Sequence, residues 1–501
     1  MMRTLKHGAW ILACSLGAAY AQSTAPVLIR SLSAQSLAPG GAAVTIDLRN
    51  YFAVPGLPSG EAPAPYATVF PTGGGSALLT LAAENSAPAV VEAFLSGSTL
   101  TLTPLAPGRA TIVVRATDPA GVTAAGEIAV SVAADAPAFT LQPRGQRIAA
   151  GTTVVFSAPA VGAASYQWTR DGAPLPAETT STLVIANVSS ADAGRYAVEA
   201  VNAIGRRTSD SALLEVVVAA PGDVGRLTNL SILTRAGGGD QVLTMGAVVG
   251  PFGATGAVPL VIRAVGPTLA RAPFNVTDAL GDPVMTLFAA GVSSPLETND
   301  NWGGSETMRA AFDSVAAFSL EPASLDSAVV RPAPGVGVGG YTVQVAGRGT
   351  ADGLVLAEVY DASGPGRDPD RPRLINLSTL SRVDAGSDLT AGFVIAGRTA
   401  RTVLVRGVGP SLAPLGVSDV MANPRLELYD NATGQRIAAN EDWDGALEIS
   451  NAGAAVGAFP LGGGTSQDAA LVVTLPAGPY SARLTGGASG GWAIVEVYEV
   501  P

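Results

Sequence analysis

The chain has 501 residues, and only 14% of them are charged, against the ~25% usual for globular proteins. Its formal charge is −11, and its sole lysine, histidine and cysteine (Lys6, His7 and Cys14) all fall in the first 14 residues. Removing that segment excludes a Ser-His-Asp triad, a cysteine nucleophile, a Ser-Lys dyad, a Schiff-base lysine and a His- or Cys-ligated zinc, leaving carboxylates, hydroxyls and arginines for any chemistry.

The first predicted element is an export signal. Arg3 and Lys6 precede a mostly apolar run from Gly8 to Tyr20, and Ala19-Tyr20-Ala21 closes it; these are the three parts a signal peptidase reads. Cleavage is expected after Ala21, giving a signal peptide over 1–21 and a secreted or cell-surface product. The run is too short for a membrane anchor, which needs ~20 apolar residues. Leu12, bulky where a small residue is usual, makes Cys14 a poor lipid-attachment site. Without Arg3 and Lys6 the charge becomes −13, and an acidic chain lacking lysine has no basic stripe for nucleic acid. No later segment reads as transmembrane. Gly 60 and Pro 36 punctuate the remaining length into short strands and tight turns, and no disulfide supports them.

Residues 25–134 form the first module. Ala43-Val44-Thr45-Ile46-Asp47-Leu48, Leu100-Thr101-Leu102-Thr103 and Ala110-Thr111-Ile112-Val113-Val114-Arg115 alternate or run in β-branched residues, as strands of a sandwich do. With Tyr51-Phe52 and Ala116-Thr117-Asp118-Pro119-Ala120-Gly121, this arrangement resembles cadherin-like and Ig-like modules of exported bacterial proteins. The paired acidic signatures with which cadherins hold calcium are missing.

Residues 137–218 form the second. Tyr166-Gln167-Trp168, the strand Thr182-Leu183-Val184-Ile185 and Asp192-Ala193-Gly194-Arg195-Tyr196 resemble an immunoglobulin domain of the I-set or bacterial Ig-like type. The resemblance implies that Trp168 fills the core and that the Tyr196 hydroxyl closes a tyrosine corner. Ala158 and Val198 stand where that family places its inter-sheet cysteines, so a crosslink worth ~2–4 kcal/mol is replaced by apolar packing.

Two copies of one unit follow, over 224–362 and 371–500. Arg226-Leu227-Thr228-Asn229-Leu230-Ser231 recurs as Arg373-Leu374-Ile375-Asn376-Leu377-Ser378. Val261-Ile262-Arg263-Ala264-Val265-Gly266-Pro267 recurs as Leu404-Val405-Arg406-Gly407-Val408-Gly409-Pro410, and Glu358-Val359-Tyr360 as Glu496-Val497-Tyr498. Such a period exceeds the ~20–50 residues of solenoid repeats, so each copy is expected to be a domain in its own right, with 363–370 as linker. Leu426-Glu427-Leu428-Tyr429-Asp430, an Asn- and Asp-rich loop and Pro476-Ala477-Gly478-Pro479-Tyr480 follow in the order of bacterial pre-peptidase C-terminal domains. The copies are similar to those jelly-roll sandwiches, which help exported enzymes attach to substrates or surfaces without reacting.

Three sets of residues invite a site. Asn299, Asp300 and Asn301 in one copy, and Asn440, Glu441, Asp442 and Asp444 in the other, gather oxygens suited to calcium, or else bond their own turns. Arg263 and Arg406 lie on apolar strand faces, so each needs a carboxylate, with Glu358 and Glu496 the expected partners. Trp302, Trp443 and Trp492 would either stack on sugars or fill cores. Gly73-Gly74-Gly75, Gly237-Gly238-Gly239 and Gly462-Gly463-Gly464 lack the lysine and helix of a phosphate-binding loop. The expected protein is all-β, a string of tandem antiparallel β-sandwiches (Ig-like modules followed by two jelly-roll-like repeats). It is expected to be no enzyme and to need no cofactor, with calcium the one open possibility. Binding or adhesion to cell-envelope or extracellular glycan or protein is the expected role, beside two alternatives, a structural spacer and a carbohydrate-binding accessory protein. An outer-membrane barrel would require aromatic girdles that this composition lacks.

Overall fold

The computed structural model describes residues 26–55, 66–67, 79–133, 135–251, 253–364, 371–486 and 490–501. The signal segment, Gly73-Gly74-Gly75 and most of the 363–370 linker lie outside them. The fold is all-β, as tandem antiparallel sandwiches.

In the first module the predicted strands appear as Val44–Asp47, Thr99–Pro104 and Gly108–Thr117. Gly108–Thr117 pairs with Thr123–Val132 over ten residues, so alternate side chains of both strands face one core. That core contains Leu48, Phe52, Leu100, Ile112, Val114 and Ile128.

In the second module, Trp168 is fully buried and its Nε1 donates to the Thr180 carbonyl. The Tyr196 hydroxyl donates to the Asp192 carbonyl at 2.7 Å, making the expected corner. Ala158 and Val198 are both buried in this core. Phe156 stacks on Tyr196 there at 5.1 Å between ring centroids.

The repeated units hold the larger core. Copy 1 runs β1 (Arg226–Ala236), β2 (Leu243–Gly250), β3 (Ala257–Val265), β4 (Pro283–Ala289), β5 (Glu297–Asn299), α1 (Glu306–Ser314), β6 (Ser327–Gly337), β7 (Gly339–Gly347) and β8 (Gly353–Asp361). Copy 2 repeats this order as β9 (Arg373–Val383), β10 (Asp388–Ala396), β11 (Arg401–Val408), β12 (Arg425–Asp430), β13 (Gln435–Asn440), α2 (Leu447–Ala455), β14 (Ala469–Leu475), β15 (Gly478–Thr485) and β16 (Gly491–Glu499). Where the sequence suggests two self-contained units, the structure joins them edge to edge in both sheets. One eight-stranded sheet has the order β6-β3-β8-β1-β10-β15-β12-β13, and the other β5-β4-β7-β2-β9-β16-β11-β14. Both are open sheets, so the two copies form a double-length sandwich and not a closed barrel. Each copy gives four strands to each sheet, and a single hydrophobic core runs through both copies.

The seam explains part of the sequence repeat. Strand β1 pairs with β10 and β2 with β9, so the first strand of each copy lies against the second strand of the other. The register places Ser231 opposite Gly392 and Gly246 opposite Ser378. A Cβ on Gly246 would come within 2.5 Å of Ser378 Oγ, and one on Gly392 within 2.7 Å of Ser231 Oγ. Each serine hydroxyl occupies the space beside the facing glycine, so a side chain at either position would have to displace it. A β-bulge follows at Thr228 in β1 and at the matching Ile375 in β9.

The immunoglobulin-like module docks on copy 2. Thr402 Oγ1 donates to the Thr153 carbonyl. Val155 N donates to Thr474 Oγ1 at 2.7 Å, and Ala400 N donates to the Arg147 carbonyl at 2.7 Å. The Val155 side chain joins an apolar cluster containing Leu404, Trp443, Val472 and Tyr498. The register of β3 with β6 puts Pro259 and Pro332 at the copy 1 positions of Thr402 and Thr474. Proline has neither hydroxyl nor N–H, so copy 1 lacks these two polar handles. Among the described residues, no helix is long and apolar enough to cross a membrane.

Candidate functional site

The charges that the alternation of β3 and β11 places on apolar faces are paired. Arg263 is fully buried, and its Nε reaches Glu358 Oε2 at 2.8 Å; Arg406 is 2% exposed and reaches Glu496 Oε2 at 2.8 Å. Each guanidinium also donates to a carbonyl, of Phe318 or Phe459 respectively, and lies 4.4 or 4.2 Å from the ring of the same residue. Tyr360 and Tyr498 donate to the other carboxylate oxygen at 2.7 and 2.9 Å. Burial, reinforced by the adjacent glutamate, pushes both phenols far above their ordinary range. Every polar group of the cluster has a protein partner, as stability requires of a buried charge.

A second buried acid in each copy escapes sequence inspection. Asp326 and Asp468 are fully buried. Asp326 accepts from Gly266 N at 2.8 Å and from the hydroxyls of Thr268 and Ser324; Asp468 accepts from Gly409 N at 2.9 Å and from those of Ser411 and Ser466. Each carboxylate thus clamps the Gly-Pro-Thr/Ser turn that leaves a core strand. The signal available was Ser-x-Asp (324–326 and 466–468) recurring in step with Gly-Pro-Thr and Gly-Pro-Ser.

The oxygen-rich loops are engaged in local bonds. Asn299 donates to the Asn301 carbonyl and accepts from Ala328 N; Asn440 does the same with Asp442 and Ala470. Asp300 pairs with Arg348 at 2.7 Å and Glu441 with Arg425 at 2.6 Å. In copy 2, Asp442 Oδ1 is buried without a hydrogen-bond partner. Asp444 beside it sits at φ +53°, its carboxyl pushed up first by burial and then by Asp442. Among the described residues, no three His, Cys, Asp or Glu side chains converge as a metal-binding group.

Trp302 and Trp443 are 2% and 8% exposed and belong to cores beside α1 and α2, which removes two of the three aromatics as sugar platforms. Trp492 is half-buried and lines a small pocket with Arg235, Arg382 and Asp384.

A cleft of about 190 Å³ lies where the immunoglobulin-like module meets copy 2. Arg144 and Gln146, at the start of strand Gln146–Ala149, line one wall; Asp430, Pro476 and Tyr480 line the other. Val155, Ile437, Val472 and Leu475 complete an aliphatic lining. Gln146 is 6% exposed and donates through Nε2 to the Thr474 carbonyl at 3.1 Å. That carbonyl only accepts, so the amide nitrogen must face it, and Gln146 Oε1 is left buried without a partner. Arg144 is exposed and has no ion-pair partner among the described residues. The Tyr480 hydroxyl donates to the Pro476 carbonyl at 2.9 Å; burial, aided by Asp430 and opposed by Arg144, pushes it up to about 12. Sequence reasoning missed this site because its walls lie more than 280 residues apart in the chain, Arg144 to Asp430.

Comparison with known proteins agrees with the second module. Residues 137–216 match the immunoglobulin I-set domain. Among solved structures, the chain is similar to the N-terminal Ig1-2 module of the Drosophila receptor protein tyrosine phosphatase DLAR, at 18% identity and a TM-score of 0.16, over 39% of this chain and 100% of that one. It is also similar to titin domains Z1Z2 in complex with telethonin, at 18% identity and a TM-score of 0.16, over 39% of this chain and 98% of that one. No curated protein matches the sequence. The protein is thus a multidomain all-β chain carrying an immunoglobulin-like module.

Proposed function

We propose that the protein is a non-catalytic binding and adhesion protein, extracellular or attached to a bacterial cell surface, and that the cleft between its immunoglobulin-like module and copy 2 holds the ligand. One observation supports this reading: an opening between the two modules is lined by aliphatic side chains together with Arg144, which is exposed and has no ion-pair partner among the described residues. The signal-like start, the I-set match and the resemblance of the copies to pre-peptidase C-terminal domains support an exported, surface-binding role. The continuous double sandwich and its docked module favour a second reading, a rigid surface spacer that holds nothing specific.

The test is the mature chain applied to glycan and protein arrays, with hydrolysis of the same materials assayed in parallel. Selective binding without turnover is expected. Turnover of any substrate would overturn the non-catalytic reading, and uniformly blank arrays would favour the spacer.

A further inference from the structure

We infer that a second site, at the seam between the two copies, binds a neutral pyranose ring stacked on Trp492. The inference goes beyond the cleft beside the immunoglobulin-like module and does not depend on it. Trp492 belongs to β16, where Ala493, Val495 and Val497 point into the core. Alternation therefore puts its indole on the outer face of the sheet, where it is half-buried. The register sets Arg382 of β9 directly beside it. Copy 1 builds the same framework: Arg235 stands beside Leu354, and Arg235 pairs with Asp278 as Arg382 pairs with Asp419. The backbone bonds match too, since Leu354 N donates to the Asp278 carbonyl and Trp492 N to the Asp419 carbonyl. A half-buried leucine fills the place in copy 1, so the fold does not require an indole there.

The surroundings of the indole select a neutral sugar. Its pocket, of about 80 Å³, takes Arg235 and Gln241 from copy 1 and Arg382 and Asp384 from copy 2. A pyranose with equatorial hydroxyls has apolar faces of axial C–H groups, which an aromatic ring covers, and a rim of hydroxyls that donate and accept. The pocket offers that rim guanidinium donors, the Asp384 carboxylate as acceptor and the Gln241 amide, which does both. Arg382 is oriented by Asp419, and Arg235 by Asp278 and Asp352, so both forks are held before a ligand arrives. Their side chains remain 51% and 40% exposed, within reach of a ligand. These three aspartates and Asp384 outnumber the two arginines, and the surplus negative charge disfavours a uronic acid or a phosphate. The small volume admits one ring and leaves the rest of an oligosaccharide in solvent.

The experiment titrates the full mature chain and its Trp492→Leu and Trp492→Phe variants, by calorimetry, with cellotetraose and with the glucuronic acid tetramer of the same linkage. Cellotetraose should bind wild type, roughly tenfold more weakly W492L, and W492F in between. The acidic tetramer should bind wild type roughly tenfold more weakly than cellotetraose does. Because leucine already fills the equivalent place in copy 1, the melting temperature of W492L should equal that of wild type. Were W492L to fail to fold, W492F, which keeps a ring, decides the comparison. No binding of cellotetraose by wild type, undiminished binding by the variants, or equal binding of the acidic tetramer overturns the inference. A ligand captured equally by wild type and W492L on the glycan and protein arrays, beside failure of cellotetraose to bind, would remove this site and leave the cleft reading standing.

Discussion

At Arg406 the surrounding cluster defines what substitution must do. Replacing the arginine alone leaves Glu496 buried at 4% exposure with its principal partner gone. Arg406→Met should therefore destabilise by about 3–5 kcal/mol, while Arg406→Met with Glu496→Leu should regain much of the loss. Chemical denaturation of both variants checks this, and a double variant no more stable than the single would refute it. This pair was legible because β-strand alternation places Arg406 between Leu404 and Val408, and a charge there must be answered from a neighbouring strand. Asp326 and Asp468 were not, since their partners are backbone N–H groups and hydroxyls that only folding brings together. The oxygen-rich loops differ between copies in the same way. Asp444, raised by burial and by Asp442, binds its proton more readily in the folded state than at the ordinary 3.8. Its ionisation therefore weakens the fold at neutral pH, and the penalty disappears as pH falls through the folded value toward 3.8. In chelator, Asp444→Asn should melt above wild type at pH 7, with the difference closing in acid; asparagine also tolerates the left-handed backbone there. Melts in chelator and in millimolar calcium should coincide for wild type. A rise with calcium would assign the copy 2 loop, where Asp442 Oδ1 lacks a partner.

Between elements, two threonines distinguish the docked face of copy 2 from the corresponding face of copy 1. Thr402 and Thr474 bond each other and reach the backbone of Thr153 and Val155, whereas Pro259 and Pro332 take their places in copy 1. The same comparison shows in burial: Val472, Tyr498 and Val500 are buried beneath the module, while Val330, Tyr360 and Ala362 of copy 1 are half-buried. Threonine to valine preserves shape and removes the hydroxyl, so Thr402→Val with Thr474→Val should loosen the module without unfolding it. Hydrogen exchange at Thr153–Val155 should accelerate in the double variant, with the double-sandwich core unaffected. Unchanged exchange would mean that the apolar contacts of Val155 hold the module alone. The strands themselves were legible from alternation and punctuation. The docking was not, because it depends on single hydroxyls at the rim of a sheet, and no periodicity marks those. The cleft inherits that difficulty, being formed only once the module is seated.

Across the whole molecule, the question is whether the two copies unfold separately or together. The sequence repeat announces duplication but is silent on the seam, since each copy alone also reads as a complete set of strands. The seam consists of β1 against β10 and β2 against β9, over one shared core, with Leu227 N donating across it to Glu499 Oε1 at 2.6 Å. Contacts this continuous predict a single cooperative transition for residues 226–499 in calorimetry. The glycines opposite Ser231 and Ser378 provide the lever. Gly392→Val or Gly246→Val would drive a side chain into a serine hydroxyl and force the strands apart, costing about 1–3 kcal/mol each. Combined, the two should split the transition in two, because they strike both sheets at the boundary between copies. Gly434, at φ +71° with open space around it, is the control, and Gly434→Asn should leave the transition intact. Two resolved transitions already present in wild type would mean that each copy's own four-and-four strand sandwich outweighs the seam, and the copies would then be separate folding units that merely touch.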